Sequence, residues 1–344
     1  MRVLLIKTSS LGDVVHTLPA LTDARRALPG IQFDWLVEEN FAAIPAWHPA
    51  VKQVIPIAIR RWRKALWRLP RDATWQAMRA TLSATPYDLV LDAQGLLKSA
   101  FLGIFANGPR VGYDRASVRE KLSTVFYQRT IAVAKGQHAV ERTRQLFAHA
   151  MNYAAPTAIG DYALDRQRVG AELNDHKKIL LLHGTTWASK HYPENYWTAL
   201  ATLAQQDGFD VALPWGNAIE QARAERIAAH SGARVLPKLS LSAIAGEIAS
   251  SAGVICVDSG LGHLACAFEV PTVSIYGATN PDLTSTYGRT QRALAAQFAC
   301  APCLQRECQY HGASIEKPAC YDSLPPAQVW AAFKAQLQQI CVSE

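Results

Sequence analysis

Four segments of this chain carry residues whose types and spacing can do chemistry. Near the start, Lys7-Thr8-Ser9-Ser10-Leu11-Gly12-Asp13-Val14-Val15-His16 is a polar loop running into a helix. It has neither GxGxxG nor GxxxxGK[ST], which argues against a dinucleotide dehydrogenase and a P-loop NTPase. Asp13 has two readings there, a first-turn carboxylate complementing the helix dipole or a general base. Later, Asp258-Ser259-Gly260-Leu261-Gly262-His263 sets two glycines at a helix start, where free backbone N–H groups can face a diphosphate. His263 can bind the same anion or cap the turn. His183-Gly184-Thr185-Thr186-Trp187-Ala188-Ser189-Lys190 offers two hydroxyls and an ammonium to phosphate oxygens; a solvated lysine is the plain alternative. Glu220, after Pro214-Trp215-Gly216, is placed to take a ribose hydroxyl pair. Tyr276-Gly277-Ala278-Thr279-Asn280-Pro281 is a further loop of this kind.

The elements that must position these loops are short, near-continuously apolar runs, as parallel strands buried on both faces should be. Strands are predicted at 3–6, 33–37, 54–57 and 89–91, then again at 179–183, 211–213, 254–258 and 272–276. Helical patterns fall at 14–27, 73–83, 139–151 and 326–340. Ligands in parallel sheets bind beyond the carboxyl ends of strands, where every loop named above lies. The α/β pattern restarts after a polar stretch, 165–178, read as a linker. The expected architecture is two facing Rossmann-like domains with a cleft between them, the second binding a nucleotide. There is no repeat at the level of sequence.

Of the 344 residues, 49% are apolar and 18% charged, which excludes a disordered chain. No run approaches the roughly 18–20 apolar residues of a spanning helix. The opening MRVLLIK is too short for a secretory signal and reads as the first strand of a cytoplasmic domain. Lys and Arg number 35 against 28 Asp and Glu, a net +7 that suits an acidic partner: nucleic acid, anionic lipid or a phosphorylated substrate. Residues 40–71 contain no acid but seven bases: Lys52, Arg60, Arg61, Arg63, Lys64, Arg68 and Arg71. As one helix, 59–71 would gather Ile59, Trp62, Leu66 and Leu69 on one face and the bases on the other, fitting an anionic membrane interface or an ordinary surface helix. No nucleic-acid-binding motif accompanies it, so nucleic acid is not expected as a partner. Cys300, Cys303, Cys308 and Cys320 run C-x2-C-x4-C-x11-C, a spacing that permits structural zinc. Reduced thiols, or a redox-labile Cys300/Cys303 pair, compete with zinc. Neither a metal nor a cofactor is expected.

Several segments carry a resemblance: MRVLLIKTSSLGDVVHTLPALTDA, FDWLVEENFAAIPAWHPAVKQVIPIAIRRWRK, LDAQGLLKSA and QHAVERTR in the first half, HGTTWASKHYPENYW, LPWGNAIEQAR and VDSGLGHLACA in the second. They resemble the type I lipopolysaccharide heptosyltransferases, in the right order over most of the chain. The resemblance implies a GT-B fold of family 9 with an acceptor domain at 1–165, an ADP-sugar domain at 176–324, and a last helix, 325–344, returning to the first domain. It implies inverting transfer of L-glycero-D-manno-heptose from ADP-heptose to the first 3-deoxy-manno-octulosonic acid (Kdo) of Kdo2-lipid A, peripherally on the cytoplasmic face of the bacterial inner membrane, among anionic lipids.

By the same resemblance Asp13 is the general base and Lys190 a catalytic cation. Thr185, Thr186, Lys190, Glu220, Leu239, Asp258, Ser259, Gly260 and His263 hold the donor. Ser10, Arg60, Arg61, Arg63, Lys64, Gln94, Lys98, Arg119, His138 and Arg142 meet the acceptor. Departures from the pattern are Ser259 where Thr is commoner, Gly-Ala-Thr-Asn-Pro for Gly-Pro-Thr-Asp-Pro, and a type II-like CAPCLQREC. No DxD-like motif calls for a divalent cation. Heptosyltransferase II and a non-catalytic anionic-lipid-binding protein are the alternatives.

Overall fold

The apolar runs become strands because both faces of each are covered: Val3, Leu4, Leu5 and Ile6 are all fully buried. The computed structural model describes residues 1–171 and 175–343. Residues 172–174, inside the expected linker, and the side chains of Leu66, Arg68, Asp175, His176 and 340–343 lie outside the described residues. The strands are β1 Arg2–Ile6, β2 Gln32–Glu38, β3 Val51–Ile57, β4 Leu89–Asp92, β5 Arg110–Tyr113, β6 Arg129–Ile131, β7 Asp175–Leu182, β8 Asp210–Leu213, β9 Arg234–Val235, β10 Ser251–Val257, β11 Thr272–Tyr276 and β12 Gln291–Ala295. They form two six-stranded sheets, ordered β3-β2-β1-β4-β5-β6 and β12-β11-β10-β7-β8-β9. Every pairing is parallel; Leu4, for example, lies opposite Asp34 on one side and Val90 on the other. Counted from its own first strand, each sheet has the order 3-2-1-4-5-6 of a Rossmann fold. The chain thus repeats in topology what it does not repeat in sequence. The units are Met1–Leu164 and Asp165–Glu344.

In the first unit one face of the sheet buries Leu4, Ile6, Leu36, Ile55 and Ile57 against Trp62, Trp75 and Met78. Trp75 meets Trp62 and Phe105 edge-on, each at 5.3 Å between ring centres. Burial of each such side chain is worth about 1.5–3 kcal/mol. Elsewhere in the unit the helices Leu18–Ala27 and Ala139–Met151 pack together around a buried ion pair, Arg144 Nε to Asp23 at 2.6 Å. The predicted helix 14–27 is two helices, Leu11–Val15 and Leu18–Ala27. Pro19, without an N–H, is accommodated in the first turn of the second.

The predicted basic helix 59–71 does not form as one piece. A single turn, Ile59–Trp62, is followed by a separate 3-10 stretch, Leu66–Arg71. Pro70 interrupts hydrogen bonding, and Asp72 turns extended to cap the helix Ala73–Ala84 by accepting from Trp75 N at 3.0 Å. Trp62 is buried and Arg60, Arg61, Arg63, Lys64 and Arg71 are exposed, but Trp67 is 71% exposed, so apolar and basic side chains are not cleanly divided.

The second unit's core gathers Ile179, Leu181, Ile255, Val257, Val273 and Ile275 under Trp197 and Leu200 of the helix Glu194–Gln206. The last helix, Pro326–Ser343, adds Val329, Trp330 and Phe333 to that same core. Within the second unit it packs on Glu194–Gln206, β11 and β12. Gly253 makes this fit, since a Cβ there would lie 2.5 Å from the Phe333 ring. Asp207 fixes the helix by accepting from Trp330 Nε1 at 2.8 Å and pairing with Lys334 at 2.9 Å.

Candidate active site

In an open parallel sheet the crevice opens where strand order reverses, which in the second unit is between β7 and β10. The loops after these two strands carry Thr185, Thr186 and Lys190, and Asp258 to His263. Asp258 joins them. Its carboxylate lies 2.6 Å from Lys190 Nζ and accepts from the Thr279 hydroxyl at 2.7 Å, while its carbonyl accepts from Thr185 Oγ1 at 2.9 Å. Lys190 also sits over the Trp187 ring, 4.5 Å from its centre. Ser259 N-caps the helix Gly260–Ala267, and its buried hydroxyl has no hydrogen-bond partner among the described residues. Gly262 is required for packing, because a Cβ there would meet Cys256 Sγ at 2.6 Å. His263 is buried one turn into this helix, and Thr186 is exposed.

Glu220 lies in the first turn of the helix Ala218–Ser231, whose cap Asn217 accepts from Ile219 N and Glu220 N. Its carboxylate accepts from Gly216 N at 2.7 Å and comes so close to Gly184 that a Cβ there would meet it at 2.9 Å. Glu220 therefore stands beside the loop that carries Thr185. Arg223, one helical turn further on, contacts His191 Nδ1 at 2.6 Å and donates to the His183 carbonyl at 3.4 Å. Burial, with Arg223 adding to it, pushes both imidazoles down to about 4. Leu239, half-buried before the Ser240-capped helix Leu241–Ala249, has no described hydrogen bond or ring contact to this cluster.

The four cysteines are free thiols on a pocket of about 270 Å³, with Cys320 buried and Cys300 and Cys308 exposed. Burial, helped by the other three, pushes the Cys320 thiol up to about 12. Among the described residues no three His, Cys, Asp or Glu side chains are gathered so as to hold a metal ion.

The first unit's strand order reverses between β1 and β4. Asp13 Oδ2 accepts from Ser10 N at 2.8 Å and Ser10 Oγ at 3.1 Å, and its Oδ1 lies 3.9 Å from Lys7 Nζ. One oxygen of this side chain thus holds Ser10 while the other faces Lys7, and the side chain is 30% exposed. Lys7 is buried and donates to Ala93 O at 3.0 Å; burial pulls its ammonium down, against the pull of Asp13 and Asp92. Gln94 Oε1 ties the loops by accepting from Thr8 N at 3.0 Å and Ser9 N at 3.2 Å. Arg142 lies over Tyr113 and donates to Ser117 O at 2.8 Å, and its charge, with that of Arg119, is felt at Lys7. His138 caps the helix Ala139–Met151 and meets His16 edge-on at 5.4 Å.

Ser10, Asp13, Gln94, Arg119 and Arg142 are therefore one neighbourhood with Lys7. Arg60, Arg61, Arg63 and Lys64 follow β3, two strands away. Arg60 N donates to Glu38 Oε1 at 3.1 Å, and Arg61 is taken up by Glu39, Asp72 and Thr74. Lys98 is exposed in the first turn of the helix Leu97–Gly103. Reading by sequence missed Lys7, Asp92, Trp187, Thr279 and Arg223 as members of these clusters. Position at or beyond the end of a strand marks the first four, whereas Arg223 lies inside a helix and has no such signal.

Two Rossmann-like units, each with a polar cluster at its switch point, have the architecture of the GT-B glycosyltransferases. The chain belongs to glycosyltransferase family 9 (heptosyltransferase), whose family model matches residues 75–314. It is 53% identical to lipopolysaccharide heptosyltransferase 1 of Pseudomonas aeruginosa over 98% of both chains. With the Escherichia coli K12 heptosyltransferase 1 the identity is 48% over 86% of this chain and 94% of that one. The structure of E. coli heptosyltransferase WaaC with ADP-2-deoxy-2-fluoro heptose superposes with a TM-score of 0.83, at 42% identity, covering 97% and 99% of the two chains. A lipooligosaccharide heptosyltransferase 2, from Haemophilus influenzae, is 23% identical over 83% of this chain and 85% of that one.

Proposed function

We propose that this enzyme transfers L-glycero-D-manno-heptose from ADP-heptose to the first Kdo of Kdo2-lipid A, with inversion. The observation that carries this reading is end-to-end identity of 53% with a heptosyltransferase 1, against 23% with a heptosyltransferase 2.

The two switch-point clusters take complementary parts. In the second unit Thr185, Thr186, Lys190 and the N–H groups at Ser259 and Gly260 bind the diphosphate. They stabilise the charge that grows on it as the bond from anomeric carbon to oxygen breaks. Glu220 takes the ribose hydroxyls, and Asp258 and His263 the heptose. In the first unit Asp13 accepts the proton of the Kdo hydroxyl as that oxygen attacks the anomeric carbon from the face opposite ADP. Gln94, Arg119, His138 and Arg142 meet the Kdo carboxylates, and Arg60, Arg61, Arg63 and Lys64 the lipid A phosphates.

No helix among the described residues is long and apolar enough to cross a membrane. The exposed Trp67 beside exposed bases suits a peripheral seat on anionic lipid at the cytoplasmic face of the inner membrane. The test is ADP release by the purified protein from ADP-heptose with two acceptors offered separately. Release with Kdo2-lipid A and none with the acceptor that already bears its first heptose is expected; the reverse preference overturns the reading.

A further inference from the structure

The loop bearing the cysteines touches the donor cluster, and it brings a cation. Arg306 places its guanidinium over the Trp187 ring, 5.7 Å from the centre, on the same ring that Lys190 approaches at 4.5 Å. The backbone fixes this placement. Ser189 N donates to Arg306 O at 3.1 Å, and Ser189 Oγ to Gln305 O at 2.5 Å. Two residues earlier, Leu304 turns left-handed, at φ 56°, and its N–H is held by Ala278 O at 2.8 Å, next to Thr279. Residues 304–306 are thus tied to both loops that hold Asp258.

Charge gives the placement a purpose. Lys190 is already paired with Asp258 at 2.6 Å, so the two together carry no net charge. The diphosphate of a sugar nucleotide brings two negative charges. Among the described residues Arg306 is exposed and its guanidinium has neither an ion pair nor a hydrogen bond. Two like charges gathered on one aromatic ring repel each other, and an anion between them relieves that repulsion.

We propose that Arg306 is a second cation of the donor site, binding the diphosphate alongside Lys190. This rests on the reading of the second unit as the ADP-sugar unit. The fork of the Arg306 guanidinium can span two phosphate oxygens, as an ammonium cannot.

The test is calorimetric titration of the full-length protein with ADP and with adenosine, for the parent, Arg306→Ala, Arg306→Lys and Lys190→Ala. The proposal expects Arg306→Ala to weaken ADP about tenfold and leave adenosine unchanged, with Arg306→Lys recovering part of the loss. The salt dependence of ADP binding should be shallower in Arg306→Ala than in the parent. An unchanged melting temperature separates this from misfolding, since the side chain is exposed. Parent-like ADP binding by Arg306→Ala, with Lys190→Ala weakened, overturns the proposal and leaves the donor site where it is. Parent-like binding by both variants overturns the placement of the donor site as well.

Discussion

The proposed role of Asp13 as general base can be separated from its contacts to Ser10 by substitution. Its Oδ2 accepts from the backbone and hydroxyl of Ser10, while Oδ1 faces Lys7 across 3.9 Å. Asp13→Asn keeps a carbonyl oxygen for Ser10 and removes the base; Asp13→Ala removes both. A positioned general base contributes about 10²–10⁴ in rate, so Asp13→Asn should lower turnover by that factor while ADP still binds as in the parent. Asp13→Ala should lose the same activity and, in addition, about 0.5–2 kcal/mol from the lost cap. At roughly 2–4 °C per kcal/mol for a unit of this size, that loss appears as a drop of a few degrees in melting temperature. The assay is ADP release at saturating Kdo2-lipid A, with ADP titration and thermal unfolding on the same preparations. If Asp13→Asn turns over within threefold of the parent, or if activity across the two variants simply follows their melting temperatures, Asp13 is a cap and not the base.

Three further outcomes are expected. Arg144→Ala leaves Asp23 charged and buried without its partner, which should cost about 3–5 kcal/mol in urea unfolding, whereas Arg26→Ala, at an exposed pair with Asp161, should cost less than about 1 kcal/mol. Because His183 is held near 4, the unfolded chain binds a proton that the folded chain does not between its ordinary value of 6.5 and about 4, and stability drains away as pH falls through that window. His183→Gln should therefore gain on the parent by on the order of 2–3 kcal/mol between pH 7 and pH 4.5; parallel stability curves would refute the assignment. Reversing the charges of Arg60, Arg63 and Lys64 together should raise KM for Kdo2-lipid A at least about tenfold with little change for ADP-heptose, and equal effects on both substrates would remove these residues from the acceptor site.

What the sequence reveals follows burial. Strands such as β1, β10 and β11 are apolar on both faces and stand out, while β6 and β12, edge strands written RTI and QRALA, and the two-residue β9 carry too little pattern to register. Strand-end position alone picked out the loops of Asp13, Lys190 and Asp258. It did not show that Lys190 and Asp258 form an ion pair, or that Thr279 completes it, since parallel crossovers bring together loops from distant parts of the chain. The basic segment shows the opposite error. Its helical periodicity was real, yet Pro70 and the capping Asp72, both visible in the sequence, already broke it. Arg144 reads as one more surface base on an amphipathic helix, because its partner Asp23 lies 121 residues earlier.

The most direct test of the account is the linkage in the product. Purified protein, ADP-heptose and Kdo2-lipid A are incubated together, and the product is examined by nuclear magnetic resonance. One heptose on the Kdo next to lipid A, with its anomeric configuration inverted, is the predicted result. A retained configuration, a heptose joined elsewhere, or an unaltered acceptor would contradict the account.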